Sequence, residues 1–196
     1  MGSLREVIKE KSVTLHPPAA SLYSTALAFR FPEVTATSLA GEEVSVGPAA
    51  GGLFENRWTL LGCAGSNFAK SMVDTWMEAA AAPELVASAA EAGRVGLQTS
   101  WLSLVEGTLL SWLRRPLLLS MRSSVPAERH TRFLCTFGQM EQVRRTLQMQ
   151  NKYLGYVCLV DPQGIVRWHV HGNEVPSDTQ VRDLCLLYTS PSPRDS

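Results

Sequence analysis

The chain has 196 residues, 45% of them apolar and 18% charged, with lysine plus arginine equal to aspartate plus glutamate. That is a globular composition with room for one hydrophobic core, not a disordered or collagenous one. Zero formal charge and no RNA- or DNA-binding signature argue against a nucleic-acid partner.

Residues 1–28 show little pattern beyond the Pro17-Pro18 break. They are expected to be an extension, poorly ordered or part of a targeting segment. "MGSLREVIKEK" mixes Arg5, Lys9 and Lys11 with Glu6 and Glu10 and has no apolar signal core. Glu6 also breaks the myristoylation pattern. "FPEVTATSLAGEEVSV" (31–46) predicts a short peripheral hairpin turning at Ala40-Gly41.

"WTLLGCA" (58–64) predicts a strand buried on both faces. Ser66 is placed to cap the helix that follows. In that helix Phe68, Met72, Trp76 and Ala80 recur every four residues, with Val73 and Met77 beside them, as one apolar stripe. Pro83 stops or restarts it and Gly93 ends it. Residues 95–107 predict a second strand. "TLLSWLRRPLLLSMR" predicts a helix kinked or broken at Pro116. It is too interrupted by Arg114, Arg115 and Pro116 to span a bilayer. Residues 130–138 are ambiguous between strand and loop. Residues 139–151 predict a helix with Asn151 as its C-terminal cap.

"NKYLGYVCLVDPQGIVRWHVHG" (151–172) is the most organised stretch. Its first strand is apolar on both faces and therefore central. Asp161-Pro162-Gln163-Gly164 is a tight turn: the aspartate bonds its own backbone, proline presets φ, and glycine accepts a positive φ. The return strand alternates, Val166, Trp168 and Val170 against Ile165, Arg167, His169 and His171. Such alternation predicts a strand buried on one side only, with both histidines on a solvated face. Ser177 and Gln180 fit a capping box at the start of a last helix. "CLLYTSPSPRDS" (185–196) looks like translated sequencing adapter, and is expected to be a disordered tail. The domain is therefore expected to cover residues 29–184.

Strands separated by helices pair in parallel, whereas the tight hairpin is antiparallel. An α/β domain follows, with a mixed sheet and helices on both faces. The order is the thioredoxin arrangement, and the N-terminal hairpin makes it peroxiredoxin-like.

In that arrangement thiol chemistry would sit where the 58–64 strand meets its helix. Cys63 is the one cysteine there, and Cys63-Ala64-Gly65-Ser66 formally matches C-x-x-S. A thioredoxin-like peroxidase or monothiol oxidoreductase using Cys63 is one reading. A cysteine packed inertly in the core is the favoured one. A copper chaperone using Cys63, His169 and His171 is a third, with too few ligands for a complete site. The other cysteines, Cys135, Cys158 and Cys185, form no C-x-x-C pair and read as reduced thiols.

"GLFENRWTLLGC…SMVDTW" and the Asn-Lys-x-x-Gly-Tyr-Val-x-Leu-Val-Asp…Ile-x-Arg-Trp run resemble the mitochondrial ATP synthase assembly factor ten family. So does the Phe31-Pro32 opening; the likeness covers roughly residues 29–175. His169-Val170-His171-Gly172 departs from the family by lengthening the strand. The resemblance implies a thioredoxin-like protein without redox cysteines and without a cofactor. It implies a non-enzymatic chaperone on the matrix side of the mitochondrial inner membrane. Its partner would be the hydrophobic proton-channel subunit of the Fo sector, with no small-molecule substrate. A chaperone of that kind needs exposed apolar area. Leu109, Trp112, Leu113, Arg114, Arg115 and Leu117 are the candidate partner-binding residues, facing the nascent subunit or a membrane surface. The alternative is that these leucines pack on the sheet.

Overall fold

The computed structural model describes residues 22–24, 28–80, 97–107, 113–138, 141–149, 151, 153–172 and 176–189. Eight strands form one sheet: β1 (Phe29–Arg30), β2 (Val34–Ser38), β3 (Glu43–Val46), β4 (Thr59–Ala64), β5 (Gln98–Glu106), β6 (Phe133–Gly138), β7 (Gly155–Val160) and β8 (Ile165–Gly172). Among the described residues four α-helices accompany them: α1 (Asn67–Ala80), α2 (Arg114–Ser124), α3 (Glu141–Thr146) and α4 (Asp178–Thr189). The strand order is β1-β8-β7-β4-β5-β6-β2-β3. β4 pairs in parallel with β5, and β5 with β6, while β7 runs antiparallel to both β4 and β8. This is the mixed sheet that the element order predicts. The ambiguous 130–138 stretch is a true strand, β6, joining β5 to the β2–β3 hairpin.

α1, α2 and α4 cover one face of the sheet, through Val73, Trp76, Met77, Leu118, Met121 and Leu184. α3 and the loop carrying Phe54 cover the other, around Leu61, Leu102, Leu134, Val143 and Tyr156. Alternation along β4 divides these two layers: Leu60 and Ala64 face α1, Leu61 and Cys63 face away.

α1 begins as its sequence dictates, with the Ala69 N–H donating to Ser66 Oγ at 3.1 Å. Its buried stripe is Ala69, Val73, Trp76 and Met77; of the expected stripe Val73, Trp76 and Met77 are buried, Met72 is half-buried and Phe68 is exposed. Pro83 and Gly93 lie outside the described residues.

Residues 108–112 of the expected helix lie outside the described residues, so only the position of Pro116 within α2 is seen. Pro116 falls in the first turn of the helix, where an N–H has no intrahelical acceptor to lose. α3 ends earlier than expected, and Asn151 is not its cap. Gln148 takes the left-handed conformation (φ 53). The Met149 N–H donates to the Arg144 carbonyl at 2.7 Å and the Gln148 N–H to that of Arg145 at 3.1 Å, a Schellman ending. Asn151 instead accepts the Tyr153 N–H on its side-chain oxygen at 2.9 Å, which orients the entry to β7.

The β7–β8 turn forms as expected. Asp161 Oδ1 accepts the N–H groups of Gln163 and Ile165, and Gly164 adopts φ 75. The return strand differs. A register shift opposite Leu159 and Val160 creates a bulge at Arg167. Val166 therefore shares a face with Cys158 and Val160, not with Trp168 and Val170. Arg167 reaches back to Asp161 Oδ2 at 3.4 Å, a buried ion pair, and donates to the Tyr23 carbonyl at 3.2 Å. β8 is buried on both faces, so His169 and His171 are interior residues and not a solvated edge. Tyr23 covers His169, its hydroxyl 2.8 Å from His169 Nδ1. Ser177 and Gln180 close the expected capping box on α4, at 2.9 and 3.3 Å.

Candidate functional site

β4 and β5 end side by side at the N-terminus of α1. A crevice of 420 Å³ opens there, between α1, β5 and the C-terminal half of α2. Open α/β sheets bind ligands at the carboxyl ends of their strands, so this is the natural site.

Cys63 does not face it. Gly62 presents its α-carbon to the crevice side, and a Cβ built there would lie 2.3 Å from Val73 Cγ1. Cys63 therefore points to the opposite layer, between Leu102 and Tyr156 on the neighbouring strands. It is fully buried, and burial pushes its thiol well above the ordinary range, with Cys158 adding to the shift. Cys158 and Cys135 are also buried and are pushed up to about 12. A nucleophilic cysteine needs the reverse: partial exposure and a cation or helix N-terminus that lowers its pKa. Ser66 occupies the junction itself, its hydroxyl committed to capping α1.

Nor do Cys63, His169 and His171 meet as ligands. Cys63 pairs across to Tyr156 and Tyr156 across to His171, two strand spacings, or about 9–10 Å of backbone. The Tyr156 ring stands between them, 4.4 Å from the His171 ring. Among the described residues no group of three His, Cys, Asp or Glu side chains is arranged to hold a metal ion.

What the crevice does present is apolar wall and aromatic rim. Val73, Met121, Val125 and Phe133 line it. Tyr153, 49% exposed, stands at its edge, and Phe68, 44% exposed, follows the lining residue Asn67. A large apolar side chain so exposed at the mouth of an apolar crevice marks a contact surface, and Phe68 adds exposed apolar area on the neighbouring helix end. The side wall is held by one carboxylate. Asp74 accepts from Lys70 Nζ at 2.6 Å and from Trp101 Nε1 at 3.0 Å, and Arg129 approaches to 3.9 Å while stacking over the Trp101 ring. The polar groups around the crevice are thus largely satisfied by one another, which leaves apolar contact as its chemistry.

Phe68, Asp74, Trp101 and Tyr153 went unmarked as site residues in the sequence. Asp74 carried a signal: an acid inside the helical stripe, four residues after Lys70. Of the expected partner-binding residues, Leu109 and Trp112 lie outside the described residues. Leu113 and Leu117 are half-buried, and Arg114 and Arg115 are exposed. Arg114 is tied inward, to Thr37 Oγ1 and over the Phe137 ring at 5.3 Å. α2 has no fully buried residue, although Leu118 packs half-buried on the core while Leu119 is exposed.

A family model described as "ATP10 protein" matches residues 5–186. The chain belongs to the ATP10 protein family. A relative named "Mitochondrial ATPase complex subunit ATP10", from Eremothecium gossypii, is 39% identical over 87 residues. Those residues are 43% of this chain and only 32% of that relative's length. Among solved structures, the Sco-family cytochrome c oxidase assembly protein BsSco superposes with a TM-score of 0.52 at 14% identity, covering 83% of this chain and 95% of its own. A secreted thiol-disulfide isomerase from Corynebacterium glutamicum gives 0.51 at 13% identity, over 90% and 97%. At such identities the likeness shows the fold alone, and that fold is thioredoxin-like.

Proposed function

We propose that the chain is a non-enzymatic assembly factor of mitochondrial ATP synthase, whose crevice receives an apolar segment of the Fo proton-channel subunit at the matrix side of the inner membrane. Membership of the ATP10 family and the mitochondrial ATPase relative support the assembly role. The observation that carries the binding mode is the junction itself: a 420 Å³ apolar crevice with an exposed aromatic rim and Cys63 turned away from it. No helix among the described residues is long and apolar enough to cross a membrane, and the proposal places the chain at the membrane peripherally.

Capture from mitochondria that are labelling newly made proteins tests this reading. The parent chain is expected to retain the channel subunit. Phe68→Ser with Tyr153→Ser is expected to lose most of it while keeping the parent's unfolding midpoint, because both side chains are exposed. Cys63→Ala should capture normally. Peroxide consumption that Cys63→Ala abolishes would replace the proposal with the thiol reading.

A further inference from the structure

α2 turns two different faces outward and inward. Leu117, Leu118 and Met121 lie on the inner face and are half-buried. Leu118 and Met121 pack on the core, and Met121 also lines the crevice. On the outer face, at the i, i+4, i+7 spacing of one helical stripe, stand Arg115, Leu119 and Arg122. All three are exposed, and Leu119, at 67%, is the most exposed large apolar side chain among the described residues. Among those residues neither Arg115 nor Arg122 joins an ion pair. Arg114–Ser124 contains no acidic residue. A chain of zero formal charge therefore concentrates uncompensated positive charge around one protruding leucine.

We propose that this outer face of α2, Arg115–Leu119–Arg122, is a docking surface for an anionic lipid bilayer. Charge complementarity selects that occupant. Guanidinium groups on either side of an apolar side chain suit the boundary where phosphates overlie acyl chains. The arginines hold the headgroups while Leu119 enters beneath them. Docked this way, the helix whose inner side walls the crevice rests on the membrane surface. The inference is independent of what fills the crevice.

Flotation of the full chain with vesicles tests it, comparing phosphatidylcholine alone with phosphatidylcholine mixed with phosphatidylglycerol. The parent chain is expected to float with the anionic vesicles only, and to be released by high salt as screening shortens the attraction. An arginine near an anionic surface contributes about 5-fold in partitioning, so Arg115→Gln with Arg122→Gln should weaken binding roughly 25-fold. Leu119→Ser should weaken it severalfold more, and Arg115→Lys with Arg122→Lys should retain it, because the attraction is one of charge. A urea melt unchanged from the parent's will show that these exposed substitutions leave the fold intact. Equal binding to neutral and anionic vesicles overturns the proposal, as does parent-like binding by the double glutamine variant. So does a parent chain that ignores both vesicles while that variant loses capture of the channel subunit, which makes the face a protein contact instead.

Discussion

Arg167 illustrates how one residue reorganises a strand. Alternation placed it on a solvated face with His169 and His171, because alternation assumes an unbroken ladder. The bulge at Arg167 breaks that ladder, and the side chain spends its charge on Asp161, six residues back across the turn. Nothing in "GIVRWHVHG" signals the extra residue. Breaking a buried pair from one side leaves an uncompensated charge, so Arg167→Met should lower stability by about 3–5 kcal/mol in urea unfolding. The cysteines make a second prediction at this scale. Burial raises the thiols of Cys63, Cys135 and Cys158 in the folded chain above their ordinary value of 9.0. The unfolded chain therefore releases its thiol protons first, and stability contributed by these groups is complete below pH 9 and lost as the pH climbs towards 12. Thermal unfolding should fall steeply over that window, and less steeply in Cys135→Ala with Cys158→Ala.

At the scale of elements, the contact of α1 with the sheet depends on two glycines. A Cβ at Gly155 would lie 2.6 Å from the Ala69 carbonyl oxygen, and one at Gly62 would meet Val73. The helix backbone rests almost directly on β7, which allows Val73, Trp76 and Met77 to bury fully, at about 1.5–3 kcal/mol each. Gly155→Ala must move backbone, whereas Gly62→Ala displaces side-chain methyls. Both should destabilise, Gly155→Ala the more, by at least about 2 kcal/mol in denaturant titration. The caps of α1 and α4 and the Asp161–Gly164 turn were legible in the sequence because each is closed by residues within four positions. The end of α3 was not: Gln148 in a left-handed conformation has no residue-type signature of the kind glycine provides. The stripe of α1 was readable at Val73, Trp76 and Met77 but not in its first turn, where Ala69 buries instead of Phe68. Phe68 is as apolar as Val73 or Trp76, yet it is exposed.

For the molecule as a whole, the β2–β3 and β7–β8 hairpins and the parallel β4–β5–β6 run follow from how tight turns and helices connect strands, whereas β1–β8, β2–β6 and β4–β7 join strands far apart in the chain. The crevice is not local. It is assembled from the ends of β4 and β5, one flank of α1, the inner face of α2 and the residue before β7, drawn from positions 62–153. Tyr153 belongs to it only because β7 pairs antiparallel to β4 and so begins where β4 ends. The expectation that Cys63 is a core residue is met by its full burial. That Trp101 and Tyr153 would line one crevice is not visible in the sequence.

The central claim is that this strand-to-helix junction binds and does not react. A photo-crosslinking amino acid at position 153, activated in mitochondria during synthesis of the channel subunit, tests it most directly. An adduct with the newly made subunit is expected, formed equally well in a Cys63→Ala background. Absence of that adduct, together with failure of ATP synthase assembly on Cys63→Ala alone, would contradict it.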